Sequence, residues 1–168
     1  MKLKKAVLGI SVILTLVSVG FSVASREILL INGKTVLFEL APVDPRSIMQ
    51  GDYMTLSYRI TNAHGDSIPS RGYIVFKTDS QNVASRSIRF QKNKEPLSED
   101  EMIIRYFCHK RVISIGSESF FFQEGDADLY ARAKYGGIKV SKDGESILYG
   151  LFDEDCNEIK RKYPVVTR

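Results

Sequence analysis

Cysteine and histidine are scarce in this chain, with two of each in 168 residues. Two cysteines cannot build the disulfide framework of a small stapled fold, so an apolar core has to hold the domain together. In an oxidising compartment Cys108 and Cys156 could bridge, which in a chain-entropy account would stabilise by roughly 4 kcal/mol. The other reading is two buried thiols acting as small apolar residues. His64 lies in the turn-like "NAHGDS" and His109 follows Cys108 in a strand-like run. Neither has a carboxylate or cysteine at metal-ligand spacing, so no metal site and no cofactor is expected. Glycines are scattered through turns rather than grouped in a phosphate-binding loop, and no fixed-period repeat is present.

Excess charge is also lacking. The formal net charge of +4 is carried mostly by Lys2, Lys4 and Lys5; the remainder has 21 basic against 20 acidic residues. No basic stripe alternates with aromatics, so nucleic acid is not an expected partner.

What is present begins directly after those lysines. Residues 6–24, "AVLGISVILTLVSVGFSVA", are uncharged and apolar. As a helix they span roughly 28 Å, close to the hydrocarbon thickness of a bilayer. The run exceeds the apolar region of most signal peptides, although Ser22-Val23-Ala24 also fits a cleavage site for a signal peptide over 1–24. We expect a retained anchor over 1–33, with the lysines inside and residues 34–168 forming an extracytoplasmic domain. Asn32-Gly33 reads as the end of a continuous helix, with glycine in the left-handed position, or as a hairpin turn.

The remainder is strand-like. A first strand is expected over 35–40. Residues 54–60 alternate, with Met54, Leu56, Tyr58 and Ile60 on one face. Further strands are expected over 72–77 and, more weakly, 83–90. Residues 91–101 are polar and read as an exposed loop. A long strand over 102–115, bent by a bulge, a short helix over 126–133 and a hairpin about Asp143-Gly144 complete the pattern. The fold class is mainly β: a compact curled sheet or barrel-like domain with one short helix, preceded by an N-terminal transmembrane helix.

The most patterned stretch is 41–60, "APVDPRSIMQGDYMTLSYRI". Asp44 suits a helix N-cap, Pro45 the first helical position and Gly51 the end of that turn. Alternation puts Asp52 on the face of Met54, Leu56 and Tyr58. A buried carboxylate there needs a partner, and Arg46 or the turn amides can supply it. The Tyr58 hydroxyl likewise needs a bond. Asp52 with Arg46 is either a structural lock or the rim of a ligand site.

Residues 51–58, "GDYMTLSY", spell the pattern of the GDYXXLXY family of bacterial membrane-anchored proteins. The lead-in "PVDPR" and the segment "IGSESFFFQEGDADL" at 115–129 are similar to two other family segments, with Phe120 and Gln123 in place of the usual tyrosine and proline. The resemblance implies an uncleaved anchor and no particular activity; members often neighbour multi-pass membrane proteins. It also singles out Tyr53, Glu118, Phe120, Phe121 and Glu124. These carboxylates would share a surface with Asp52 if the two segments pair; otherwise the phenylalanines alternate in the core and the glutamates are solvated.

A fainter likeness to the ordered boxes of signal peptidases runs through "SIMQGDY", "SRGYIVFK" and "KRVISIG". The serine nucleophile those enzymes need is replaced by Pro42 or Val43, Ser47 lies on the wrong side of the turn, and only Lys110 is left as a base. The expected role is an accessory or binding subunit of a membrane protein assembly, with a multi-pass membrane protein as partner. The alternatives are a sensor of a small ligand or envelope component, and a hydrolase fold lacking its nucleophile.

Overall fold

The computed structural model describes residues 2–41, 53–62, 68–84, 86–123 and 125–160. The chain opens with one long helix, α1 (Lys2–Asn32), and continues into β1 (Lys34–Glu39). The helix ends where the sequence suggests, at Gly33, whose N–H donates to the Leu29 carbonyl at 2.8 Å. Its glycine requirement is different from the expected one. Gly33 is not left-handed; a Cβ there would lie 2.5 Å from the Leu29 carbonyl oxygen and 3.0 Å from Lys139 Cβ. Close approach of helix end and sheet, rather than a turn, demands the missing side chain.

The strands that follow are β2 (Tyr53–Thr55), β3 (Arg71–Phe76), β4 (Val83–Ala84), β5 (Ser87–Gln91), β6 (Met102–His109), β7 (Val112–Ser114) and β8 (Ser119–Phe121). A single helical turn, α2 (Ala127–Tyr130), precedes β9 (Tyr135–Val140) and β10 (Ser146–Phe152). They form two four-stranded sheets, ordered β10-β9-β1-β4 and β5-β3-β6-β7, and the two-stranded sheet β2-β8. The fold is mainly β, but the sheets do not close into a barrel, because no described strand hydrogen-bonds one four-stranded sheet to the other.

One core joins all three sheets. Val36, Phe38 and Ile138 come from the first, Ile74, Phe76 and Ile104 from the second, and Met54, Leu56 and Tyr58 from the segment between them. Phe38 and Phe76 meet edge to face across it, with centroids 5.1 Å apart. The far face of the first sheet is also covered, by Leu37, Val83 and Phe152. Strand β1 therefore buries three consecutive residues and loses the simple alternation of a one-sided sheet. In β9, Gly136 and Gly137 leave room for rings on opposite faces: a Cβ would fall 2.8 Å from the Tyr58 ring and 2.4 Å from the Phe152 ring.

Several sequence expectations need correction. The long bent strand over 102–115 is a hairpin, with β6 and β7 paired from Phe107↔Ser114 to His109↔Val112. Its two-residue turn is Lys110-Arg111, at φ 48° and 69°, a type I′ geometry usually filled by Asn-Gly. Residues 83–90 are two strands in different sheets. The second helix is shorter than expected, and the alternating segment after Thr55 continues irregularly into a 3-10 turn at Arg59–Thr61. Of the two readings of Cys108 and Cys156, the structure has the free thiols; the first packs against the main core and the second against the cluster around Leu37.

Candidate functional site

Two stretches distant in sequence are zipped together in space. In sheet β2-β8, Tyr53 pairs with Phe121, Met54 with Phe120 and Thr55 with Ser119, antiparallel. The zip continues beyond the strands. Leu56 N–H donates to the Glu118 carbonyl at 2.6 Å, and the Tyr58 hydroxyl donates to the Ser117 carbonyl. On the other side, Ala41 N–H donates to the Ser57 carbonyl at 2.8 Å, tying the segment to the end of β1.

Because side chains alternate along both strands, this pairing sorts the residues into two faces. Met54, Leu56, Tyr58 and Ile60 are all buried, as the spacing predicts. Tyr58 is 1 % exposed, its ring packed edge to face on Phe38 and against the space Gly136 leaves. Burial, with a smaller push from the Glu118 carboxylate, raises its phenol well above the ordinary tyrosine range, so the hydroxyl stays a donor. Phe120 is half-buried and meets the Tyr130 ring edge on at 4.9 Å. Phe121 points the other way and is 74 % exposed, its ring centroid 5.8 Å from that of Tyr53.

Glu118 is half-buried and bonded within its own turn. Its Oε1 accepts from the backbone N–H groups of Ile115 at 2.5 Å and Gly116 at 3.2 Å, closing the tight turn that delivers β8 to β2. The Ser146 hydroxyl donates to the Ile115 carbonyl and stands 3.3 Å from the Ser117 hydroxyl, bracing the same turn against β10. The structure thus unites Tyr53, Tyr58, Glu118 and Phe120, largely as architecture. Asp44, Arg46, Asp52 and Glu124 lie outside the described residues, as do Pro42, Val43 and Ser47. Lys110, the one base the hydrolase likeness leaves, sits exposed in the β6–β7 turn, not in the desolvated setting an activated lysine requires. His109 is exposed beside it.

A family model described as GDYXXLXY protein matches residues 15–151. The chain belongs to this family. No curated protein and no solved structure matches it. Among the described residues of the name-giving motif, Leu56 and Tyr58 are core and Tyr53 lies on the opposite face. Phe121, which the family resemblance marks beside Phe120, turns out to be the exposed partner of Tyr53, a placement that the sequence does not give. Register against Tyr53 reveals it, and register follows from the pairing of β2 with β8.

Proposed function

We propose that the chain is a membrane-tethered accessory or binding subunit of a membrane protein assembly. In this reading α1 is the tether and the β domain lies on the extracytoplasmic side. The partner is a multi-pass membrane protein. The observation that carries the reading is the Tyr53–Phe121 pair: a large apolar ring held in the open by the same strand pairing that packs Phe120 against the core. Exposed aromatic surface on a rigid strand is the kind of feature that protein interfaces bury. Support also comes from α1, whose apolar window is left uncovered by the domain.

The test is crosslinking and affinity purification of the tagged full-length protein from its native membrane. Wild type should recover one specific multi-pass protein, Phe121→Asp should lose it, and Ile88→Asp, an exposed apolar residue on another sheet, should keep it. Equal recovery with Phe121→Asp would remove the aromatic pair from the interface, and recovery of no membrane protein would end the subunit reading.

A further inference from the structure

The last four turns of α1 do not stand clear of the domain. Leu29 is buried against it, and Arg26 Nη1 donates to the Ser146 carbonyl at 3.3 Å. Between helix and domain lies a cleft of about 1090 Å³, walled by α1 from Ser18 to Asn32 on one side. The opposite wall is Leu97, the start of β6 and the β9–β10 turn. That volume exceeds the usual range for small-molecule sites, roughly 300–1,000 Å³.

The depth of the cleft follows from the sequence of α1. The uncharged run ends at Ser25, directly before Arg26. Ser18 and Phe21, which line the cleft, lie within that run, Ser18 roughly 12 Å along the helix before Arg26. If α1 spans the bilayer, the cleft therefore straddles the boundary between hydrocarbon and headgroups.

Its charges are not balanced as they first look. Three acids and three bases line it. Each acid is already satisfied from elsewhere: Glu101 by Arg89, Asp143 by Lys94 and Glu145 by Arg105. Arg26, Lys34 and Lys142 have no carboxylate partner among the described residues. The cleft therefore joins apolar surface at acyl-chain depth to three unneutralised cations at headgroup depth.

We propose that this cleft binds one anionic phospholipid of the surrounding leaflet, its phosphate between Arg26, Lys34 and Lys142 and an acyl chain against Phe21, Leu97 and Met102. The proposal rests on the reading that α1 spans the membrane. A transmembrane helix of another protein would fill the apolar part but leave the three cations without counter-charge at the hydrocarbon edge.

The chain contains no tryptophan, so Leu97→Trp creates a single fluorescent reporter in the cleft. The full-length variant is reconstituted in vesicles holding equal fractions of either phosphatidylglycerol or phosphatidylcholine brominated high on the acyl chain. Quenching by brominated phosphatidylglycerol should be at least twofold stronger, and Lys34→Glu with Lys142→Glu should erase the difference. Val112→Trp, in the exposed strand β7, should stay unquenched by both lipids. Ser141→Trp, on the same wall as Leu97, repeats the comparison should Leu97→Trp fold poorly by circular dichroism. Equal quenching by the two lipids, none by either, a preference that survives the double substitution, or quenching at Val112→Trp would each overturn the proposal. Alkaline carbonate extraction of the same protein separates the two layers of the argument. Release from the vesicles sinks the spanning reading itself, whereas retention with an unquenched cleft sinks only the lipid site.

Discussion

Replacing Tyr58 with phenylalanine removes one oxygen from the centre of the core. That oxygen is the donor to the Ser117 carbonyl, and Ser117 is 5 % exposed. Its loss leaves a buried acceptor without this donor, a situation that costs about 1–3 kcal/mol. Chemical denaturation of full-length Tyr58→Phe in detergent should show a loss in that range. An unchanged midpoint would mean that the two motif segments are held together by packing alone. The sequence makes half of this legible. A tyrosine closing an apolar face must find a partner for its hydroxyl, and that much follows from alternation. The partner itself, 59 residues away, does not follow, because nothing local in either segment records the pairing. Glu118 shows the same limit from the other side. A glutamate flanking three phenylalanines looks like a surface or pocket group, and only the fold reveals that its carboxylate is spent on the N–H groups of its own turn.

At the scale of elements, turns separate what the sequence shows from what it hides. Asp143-Gly144 announces the β9–β10 hairpin because Gly144, at φ 80°, is the residue type that geometry favours. The β6–β7 hairpin makes a tight turn from Lys110-Arg111, which carry no such signature, and the region therefore reads as one long strand. Both residues hold left-handed backbone that side chains with a Cβ adopt at a cost. Lys110→Asn with Arg111→Gly installs the favoured pair and should stabilise the protein by about 1 kcal/mol. Thermal unfolding checks this, and a lowered midpoint would show that the native side chains contribute more than the turn geometry costs.

The polar loop over 92–101 is another element whose role is hidden by composition. It reads as solvent-exposed filler, yet Glu101 clamps it to β5 through two Arg89 bonds at 2.7 and 2.8 Å and accepts from Ser98 N–H at 3.0 Å. The Arg89 guanidinium, helped by the Ser98 amide, pulls the Glu101 carboxyl from 4.5 down to about 2. A carboxylate depressed in this way stabilises the fold above its unfolded value, and the contribution is lost as pH falls from about 4.5 through about 2. The stability gap between wild type and Glu101→Gln should therefore be widest near neutrality and close progressively below pH 4.5. A gap that stays constant down to pH 2 would show that the carboxylate's charge is not what holds the loop.

For the whole molecule, the deciding relation is between one helix and one domain. The domain leaves the most apolar 18-residue stretch of α1 bare, yet grips the helix end through Leu29, Gly33 and Arg26. A helix so apolar and so bare along its length is suited to lipid on all sides, and only its carboxyl-terminal turns belong to the folded unit. Length and composition made the helix visible in the sequence, whereas its seating on β9 and β10 was not, since the contacts are made by strands more than a hundred residues later. Which side the domain occupies then depends on charge. Lys2, Lys4 and Lys5 flank one end of the apolar run, and the other end carries Arg26 offset by Glu27. Positive residues favour the cytoplasmic side, so the domain should lie opposite them. Protease added to cells stripped of outer barriers should digest the domain while leaving cytoplasmic markers whole. Lys2→Glu, Lys4→Glu and Lys5→Glu together should reduce the digested fraction, because the asymmetry that orients the helix is then reversed. A domain fully protected in wild-type cells, and digested only after lysis, would place it in the cytoplasm. The aromatic pair and the lipid cleft would then have to find their partners in the inner leaflet.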